Sequence, residues 1–365
     1  MAHAEPLISR PHRSEKNIRN LLLGCLVIGA AVHLICNQSR FDGRSLRAAL
    51  SIDSDAPGDE SPDRPIVGIL SLPLTDGFRK AHHINITDAN AIIPSSYIKW
   101  LQSAGAQVVV IPHFWEPERI EFLVSKLSGV LFTGGDYGDA DWNRTTAWIF
   151  NEAVRRNSTQ EKLALWGTCL GFERIMQVAS GDEYGTVVPA ALVDASAKIE
   201  WVKGNSQFGS FMGDKYMNKF SDNEIAYNFH VWGVTPNSWA NHQASLDQFL
   251  NVVGYHHAGN TTFVAMVEGK DSLPVWGVQF HPEKALFEWS PMLHYPHSET
   301  AVLANRKIAD FFVNKVREIS RNSNARFASF EEESRYAIYN YQAVFTGVDF
   351  NASTSIFTET YIINK

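Results

Sequence analysis

Hydrophobic positions between residues 65 and 181 alternate between short apolar runs and helical spacing. Four apolar runs predict buried strands, at residues 66–70, 108–111, 130–133 and 163–166. Apolar side chains three and four residues apart predict four helices between and after them, at residues 95–104, 120–127, 142–156 and 170–179. Continuous apolar strands that alternate with helices are typical of a parallel sheet covered on both faces. The sequence therefore predicts an α/β fold with a doubly wound, mostly parallel sheet.

This alternation stops in the second half of the chain. Turns, aromatic residues and glycines at 182–262 predict irregular and antiparallel elements that wall a pocket. Two further runs, 263–268 and 275–280, are expected to return to the sheet, and a helix at 301–319 to pack back on it. Two β-like runs follow in the tail, at 336–341 and 355–363.

The N-terminal region has a different composition. Basic residues precede an apolar run at 21–36, which predicts a secretory signal peptide or signal anchor in residues 1–36. The run is short for a bilayer span, yet no clear cleavage site follows it, so both alternatives stay open. Residues 37–64 are rich in Asp, Ser and Pro and predict a disordered linker, which leaves residues 65–365 as the folded domain.

Six Asn-x-Ser/Thr sequons agree with a secretory route. The first, Asn37, precedes the folded domain, and we expect N-glycans on those within it, at Asn85, Asn143, Asn157, Asn260 and Asn351.

Charge and cysteine usage limit the kinds of partner. The net charge of −7 and the pI of about 6.0 disfavour nucleic acid and anionic membranes as partners. Two of the three cysteines, Cys25 and Cys36, lie in the apolar run. The folded domain therefore cannot form an internal disulfide, and Cys169 is a lone thiol that needs another explanation.

Cys169 follows a predicted strand, sits in a turn of small residues and directly precedes a predicted helix. Such a turn exposes a nucleophile, and the helix N-terminus stabilises a thiolate, which predicts a pKa below the roughly 8.5 of a free thiol. Gly167 and Gly171 would give the sharp turn its room. The alternative is a buried, inert cysteine.

Two other predicted strands end in residues that suit the same site. His281 follows one of them, with Glu283 two residues on, and Gly134 and Gly135 follow another. A histidine after a strand is more often a surface or core residue, and a Gly pair an ordinary turn. However, the carboxyl ends of parallel strands meet at one edge of a sheet, so we expect these residues beside Cys169 as parts of a cysteine-nucleophile triad.

Four motifs together closely resemble the gamma-glutamyl hydrolase family, which belongs to the class I glutamine amidotransferase-like superfamily. They are FTGG at 132–135, WGTCLGFE at 166–173, NFHVW at 228–232 and GVQFHPEK at 277–284. The resemblance runs from about residue 65 to 363. It implies a flavodoxin-like fold with a nucleophile elbow, and hydrolysis of γ-glutamyl isopeptide bonds in folylpoly-γ-glutamates through a thioester acyl-enzyme.

The resemblance also implies roles for individual residues. Cys169 would be the nucleophile, His281 the general base and acid, and Glu283 the group that orients the imidazole. Backbone N–H groups of Leu170 and of Gly134 or Gly135 would stabilise the oxyanion. Substrate contacts are expected from His230, Glu173 and Lys284. Arg79 and Lys80 are weaker candidates, because exposed surface charge is the favoured explanation for both.

No cofactor and no metal are expected, since the pairs His82–His83 and His256–His257 lack metal-ligand spacing. The expected partner is a small-molecule substrate, the folylpolyglutamate, with no nucleic acid; a membrane tether through 21–36 and a homodimer stay open. The expected location is the secretory pathway, with delivery to a lysosome or vacuole or to the extracellular space.

Two alternatives to this activity also stay open. One is another γ-glutamyl amidase or glutamine amidotransferase of the same superfamily, which is disfavoured because no synthetase domain accompanies the chain. The other is a non-catalytic secreted binding protein on this fold.

Overall fold

The computed structural model describes residues 64–348 and 356–364. Fourteen strands lie within these ranges: β1 (Ile66–Leu70), β2 (Leu72–Pro73), β3 (Ala89–Pro94), β4 (Gln107–Ile111), β5 (Gly129–Phe132), β6 (Ala164–Thr168), β7 (Val188–Ala197), β8 (Glu200–Trp201), β9 (Ala226–Gly233), β10 (Leu250–Ala258), β11 (Thr261–Gly269), β12 (Val275–Val278), β13 (Gln342–Phe345) and β14 (Glu359–Asn364).

The same ranges contain eleven α-helices: α1 (Asp76–Ala81), α2 (Ser95–Ser103), α3 (Pro117–Val124), α4 (Ala140–Arg156), α5 (Leu170–Ser180), α6 (Gln207–Asp222), α7 (Pro236–Asn241), α8 (Gln243–Leu246), α9 (Lys284–Phe287), α10 (Glu299–Arg321) and α11 (Phe330–Ser334). The predicted targeting segment, Asn37, Asn351 and all but the last residue of the predicted linker lie outside the described residues. The boundaries at 36 and 64 therefore stay predictions.

The central sheet has eight strands in the order β4-β1-β5-β6-β12-β11-β10-β8. Neighbours from β4 to β12 are parallel, and β11, β10 and β8 extend the sheet in antiparallel pairing. This order confirms the mostly parallel α/β sheet. It also brings the carboxyl ends of β5, β6 and β12 next to one another at one edge.

Helices cover both faces of this sheet, because successive strand residues point to opposite sides. Val108 and Val110 join a core with α2, α6 and α10, whereas Val109 and Ile111 join a second core with α3, α4 and α5. The helices predicted from apolar spacing in residues 95–179 and at 301–319 are confirmed. Local signals set their ends: Gly105, with φ +89°, follows α2, and the Asp139 side chain caps α4 by accepting the Trp142 N–H.

Residues 182–262 contain antiparallel elements, as predicted, in the pairing of β7 with β9, but they also contain the 16-residue helix α6. This helix was not predicted. Gly213, with φ +65°, kinks it and interrupts the spacing of its buried residues Phe208, Met212 and Phe220. The apolar pattern on either side of the kink is too short to indicate a helix.

The C-terminal tail departs from prediction at one of its two β-like runs. The strand predicted at 336–341 is wrong: Ile338–Asn340 is a 3₁₀ turn, Ala337 forms only an isolated bridge with Val109, and β13 begins later. The second run is confirmed as β14, which lies between β13 and β3 in a separate four-stranded sheet.

Among the helices of the described ranges, none has both the length and the apolar character needed to cross a membrane.

Candidate active site

Cys169 forms the tip of a sharp turn between β6 and α5. Its backbone has φ +50° and ψ −108°, and its N–H donates to Val278 O on β12 at 2.8 Å. A Cβ added at Gly167 would lie 2.6 Å from Gly171 O, and one at Gly171 would lie 2.5 Å from Phe132 O. Only glycine fits at both positions, so the predicted geometry of a nucleophile elbow is confirmed.

Gly134, the second residue after β5, shows how closely the three strand ends converge. A Cβ added at Gly134 would lie 2.7 Å from His281 Cε1 and 3.2 Å from Cys169 Cβ. Both residues are nearly buried, with 5% of Cys169 and 4% of His281 exposed. The structure thus brings together the thiol, the imidazole and the glycine loop, as predicted.

His281 lies just beyond β12 and is held from two sides. Its backbone N–H donates to Tyr227 O at 2.7 Å, and the Nδ1 of its imidazole lies 2.8 Å from Glu283 Oε1. The Glu283 side chain is fully buried. Because Glu283 accepts the Nδ1 proton, Nε2 is left as the proton acceptor of the ring.

Burial dominates the protonation of the thiol and the imidazole. It raises the pKa of Cys169 well above its ordinary value, with the charges of Glu173 and Glu283 acting in the same direction, although the Leu170 N–H lowers it. Burial also lowers the pKa of His281, against the opposing effect of Glu283. The pKa shift expected from the helix N-terminus alone therefore has the wrong sign, because desolvation outweighs it. The resting pair is a neutral thiol beside a neutral imidazole.

The predicted oxyanion donors differ in what they contact. Leu170 N–H faces the sulfur and is one reason the thiol pKa is not raised further. Gly134 N–H donates to the hydroxyl of Tyr97 at 2.8 Å. Gly135 lies on the same loop, where an added Cβ would meet Leu72 and Leu170.

Glu173 lies in the first turn of α5 beside the thiol. Gln279 Nε2 donates to Glu173 Oε1 at 2.9 Å and lies 3.9 Å from Cys169 Sγ. Burial raises the pKa of Glu173 to about 8, so the side chain is a protonated carboxylic acid at neutral pH. Glu173 therefore places no charge against the Cys169 thiol at neutral pH and opposes the thiolate only once it ionises at higher pH.

His230 lies on β9, where only 6% of it is exposed. Its Nδ1 lies 2.7 Å from Trp232 O, its Nε2 lies 3.2 Å from Asn228 Oδ1, and its ring packs edge-on against Phe263. Burial lowers the pKa of His230 to about 3, and the nearby His281 contributes to that shift. The residue is therefore a neutral imidazole near the triad, and its substrate contact stays a prediction.

The three candidate cationic side chains, Lys284, Arg79 and Lys80, lie in different environments. Lys284 is buried, and its Nζ donates to Ile356 O at 2.9 Å while lying over the rings of Phe357 and Tyr295. Arg79 donates to the backbone carbonyls of its own loop, which supports a structural role. Lys80 lines a cavity beside the glycine loop.

That cavity has a volume of about 520 Å³ and opens next to Gly135 and Asp136. Its walls are rich in aromatic side chains, contributed by Phe78, Tyr137, Phe229 and Phe357. Tyr137 is 55% exposed at the rim. The arrangement offers apolar surfaces, with the backbone of the glycine loop at one end, for a planar ligand.

Sequence reasoning missed two residues of the site. Gln279 belongs to the GVQFHPEK motif, two positions before His281, so the motif was a signal that could have identified it. Tyr97 carries no such signal, because its spacing with Ile98 and Leu101 is that of any core-facing aromatic residue.

Comparison with known proteins agrees with the predicted resemblance. The family model of Peptidase C26 matches residues 65–283. Gamma-glutamyl hydrolase of Bos taurus is 30% identical over 328 residues, which are 88% of this chain and 96% of that protein. Gamma-glutamyl hydrolase 1 of Arabidopsis thaliana is 29% identical over 349 residues, 92% of each chain.

Among solved structures, a glutamine amidotransferase from Thermotoga maritima aligns with a TM-score of 0.41 at 12% identity, over 69% of this chain and 98% of that one. The family match covers most of the folded part, and the matched relatives align along nearly their whole length. The chain therefore belongs to the peptidase C26 family, together with these gamma-glutamyl hydrolases.

Proposed function

We propose that this protein is a cysteine hydrolase that cleaves γ-glutamyl isopeptide bonds and that its substrates are folylpoly-γ-glutamates. The observation that carries the proposal is the convergence of Cys169, the His281–Glu283 pair and the Gly134–Gly135 loop around one point. A thiol, a base with an orienting carboxylate and backbone N–H donors are what acyl transfer through a thioester requires.

In the proposed reaction, Cys169 Sγ attacks the γ-carbonyl carbon while neutral His281 accepts the thiol proton. The oxyanion is stabilised by the Leu170 N–H and by the glycine loop. The intermediate then collapses, and His281 donates its proton to the departing α-amine of the next glutamate. Water, deprotonated by His281, attacks the thioester, releases the new γ-carboxylate and restores the thiol. No step requires a cofactor.

Two features of the structure support a folylpolyglutamate as the substrate. The aromatic cavity beside Gly135 has the walls that the planar pteridine and benzoyl rings of a folate would need. Lys80 at that cavity and Lys284 near the triad supply positive charge in a protein that is acidic overall. A poly-γ-glutamate tail carries one α-carboxylate per residue, so such charges would favour it.

We further propose that the chain enters the secretory pathway through residues 1–36 and acts in a lysosome, a vacuole or outside the cell. The apolar run at 21–36 and the sequons support this location.

Replacing the nucleophile tests the activity. Cys169→Ala is expected to lower kcat/KM on methotrexate- or folate-polyglutamates by at least about a thousandfold with an unchanged melting temperature. The measurement is chromatographic detection of shortened polyglutamates. His257→Gln is the control, because His257 is half-exposed on β10 and pairs with Glu200 away from the triad.

The wild-type protein separates the alternatives. Shortened polyglutamates without ammonia release from glutamine support the proposal. Rapid deamidation of glutamine with intact polyglutamates would place the protein among the amidotransferases. Tight binding of the polyglutamate with no turnover would identify a binding protein.

A further inference from the structure

We infer that the hydroxyl of Tyr97 is a positioning group for this reaction: it links the His281–Glu283 pair to the Gly134 loop and leaves Gly135 and Leu170 as the oxyanion donors. The inference rests on the proposed function, because it assigns the catalytic roles given above. It adds a residue that acts through the imidazole and the loop without touching the substrate.

The position of Tyr97 follows from the helix that carries it. α2 begins directly after β3, and Tyr97 lies in its first turn with 1% of the residue exposed. Its ring belongs to the core beneath the sheet edge, so the hydroxyl is aimed from the core toward the triad. The helix start is fixed in turn by Ser95, whose hydroxyl donates to Glu359 of β14 at 2.5 Å.

Two groups meet at the hydroxyl oxygen. Gly134 N–H donates to it at 2.8 Å, and His281 Nδ1 lies 3.2 Å away. Burial raises the pKa of the phenol, and the nearby charges of Glu283 and Cys169 act in the same direction. The phenol is therefore protonated at neutral pH.

The single phenol proton determines the direction of the bonds. Gly134 N–H already occupies a lone pair of the oxygen, and the Nδ1 proton of His281 is directed to Glu283 Oε1 at 2.8 Å. We assign the phenol proton to the Glu283 carboxylate, which acts on the phenol and whose buried Oε2 has no other hydrogen-bond partner among the described residues. Tyr97 thus limits the rotation of Glu283 and, through it, the imidazole.

The same bond has a consequence for the oxyanion. The Gly134 N–H is already engaged by the Tyr97 oxygen at 2.8 Å, so we exclude it as an oxyanion donor. Of the two glycines in the FTGG motif, Gly135 is then the one whose N–H acts together with the Leu170 N–H as an oxyanion donor. Gly134 is required for a different reason: an added Cβ would lie 2.6 Å from the Tyr97 oxygen and 2.7 Å from His281 Cε1.

Tyr97→Phe removes the hydroxyl and keeps the ring in the core. We expect kcat to fall roughly ten- to a hundredfold, the range for loss of a hydrogen bond to a charged group, with KM within about twofold. Tyr255→Phe is the control, because it removes a partly buried tyrosine hydroxyl on β10.

The pH profile separates positioning from general support of the fold. Without the phenol proton, the charge of Glu283 is less compensated and favours the imidazolium. The pKa of His281 therefore rises, and the acid limb of kcat/KM moves to higher pH by about one unit. The other charged groups near His281, Lys284 and Asp136, are unchanged in the variant.

A double-mutant cycle with Glu283→Gln gives a second readout. If Tyr97 acts through Glu283, Tyr97→Phe costs much less in the Glu283→Gln background than in wild type. Equal costs in both backgrounds, or a Tyr97→Phe enzyme with wild-type kcat and acid limb, would overturn the inference. If Tyr97→Phe does not fold, site-specific fluorotyrosine at position 97 keeps the shape and, as a stronger donor, should move the acid limb to lower pH; no movement counts against the inference.

Failure of the proposed function is distinguishable from failure of this inference. Iodoacetamide alkylates Cys169 without recognising a substrate, and His281 still has to accept the thiol proton. Even if the wild type leaves polyglutamates intact, slower alkylation of Tyr97→Phe than of Tyr255→Phe supports the positioning role. Equal alkylation rates in the two variants would contradict it.

Discussion

Cys169 combines a positive φ angle with surroundings that disfavour its thiolate. The strained backbone places the sulfur at the carboxyl edge of the sheet, where the Leu170 N–H faces it. Yet the side chain is buried between two acidic residues, Glu173 and Glu283. In the proposed reaction the proton therefore leaves the thiol only as the bond to the substrate forms, and His281, whose pKa is lowered, is neutral and able to accept it.

This protonation state predicts how the free enzyme reacts with iodoacetamide. Because burial raises the pKa of Cys169, we expect the alkylation rate to keep rising above pH 8.5 and to be lower at pH 7 than that of a free thiol. Mass spectrometry of the peptide that contains Cys169 measures the rate and excludes Cys25 and Cys36 from it. A half-maximal rate below about pH 8.5 would show that the helix N-terminus outweighs desolvation.

At the scale of elements, the elbow depends on the close approach of β6, α5 and β5. The carbonyl of Phe132 occupies the space that a side chain at position 171 would need. The Phe132 carbonyl belongs to the backbone of β5, and Gly171 belongs to the backbone of α5. Neither can move away as a flexible side chain could. The turn is thus rigid because the packing of three elements defines it.

We therefore expect Gly171→Ala to destabilise the protein by about 1–3 kcal/mol, the usual cost of forcing a methyl group into a packed core. It should also lower kcat at least roughly tenfold, because α5 must shift and carries the Leu170 N–H with it. Urea unfolding and polyglutamate turnover measure the two effects. Gly77→Ala in α1 is the control for stability, since its added Cβ would meet only Thr75 Oγ1 at 3.8 Å. A Gly171→Ala protein as stable as that control would contradict the argument.

Several elements with unbroken apolar spacing were identified from the sequence. The strands β5 and β6 are continuous buried apolar runs. The long helix α10 buries one continuous apolar stripe. α6 was missed because Gly213 divides it, and the 336–341 run was misread because a short apolar stretch near a turn fits either a strand or a 3₁₀ turn.

In the candidate site, too, some features are evident from local motifs and others depend on long-range packing. Cys169, His281 and Glu283 stand in local motifs at strand ends, so sequence alone could group them. The bond from Gly134 to Tyr97 and the contact of Lys284 with Ile356 join residues that lie 37 and 72 positions apart. Such contacts depend on how α2 and the tail pack, and the direction of the thiol pKa depends on burial, which a motif does not reveal.

At the scale of the whole molecule, the C-terminal segment completes the surroundings of the site. It lies beyond the family match, which ends at residue 283. The Ile356 carbonyl accepts from Lys284, Thr358 N–H donates to buried Glu288, and β14 pairs with β3, which leads into the helix of Tyr97. The last residues described are therefore as much part of the scaffold as the motifs near its centre.

The exposure of the sequons predicts where the folded protein can carry glycan. Asn85 is exposed on the loop between α1 and β3, whereas Asn143 is half-buried within α4, its carbonyl accepting from Arg174. We therefore expect secretion from a glycosylating host to yield protein whose mobility shifts after endoglycosidase treatment, with a smaller shift for Asn85→Gln and an unchanged one for Asn143→Gln. If Asn143→Gln lost the mobility shift while Asn85→Gln kept it, the prediction from the exposure of these two residues would be contradicted. Protein found in the cytosol with no shift would overturn the proposed secretory location.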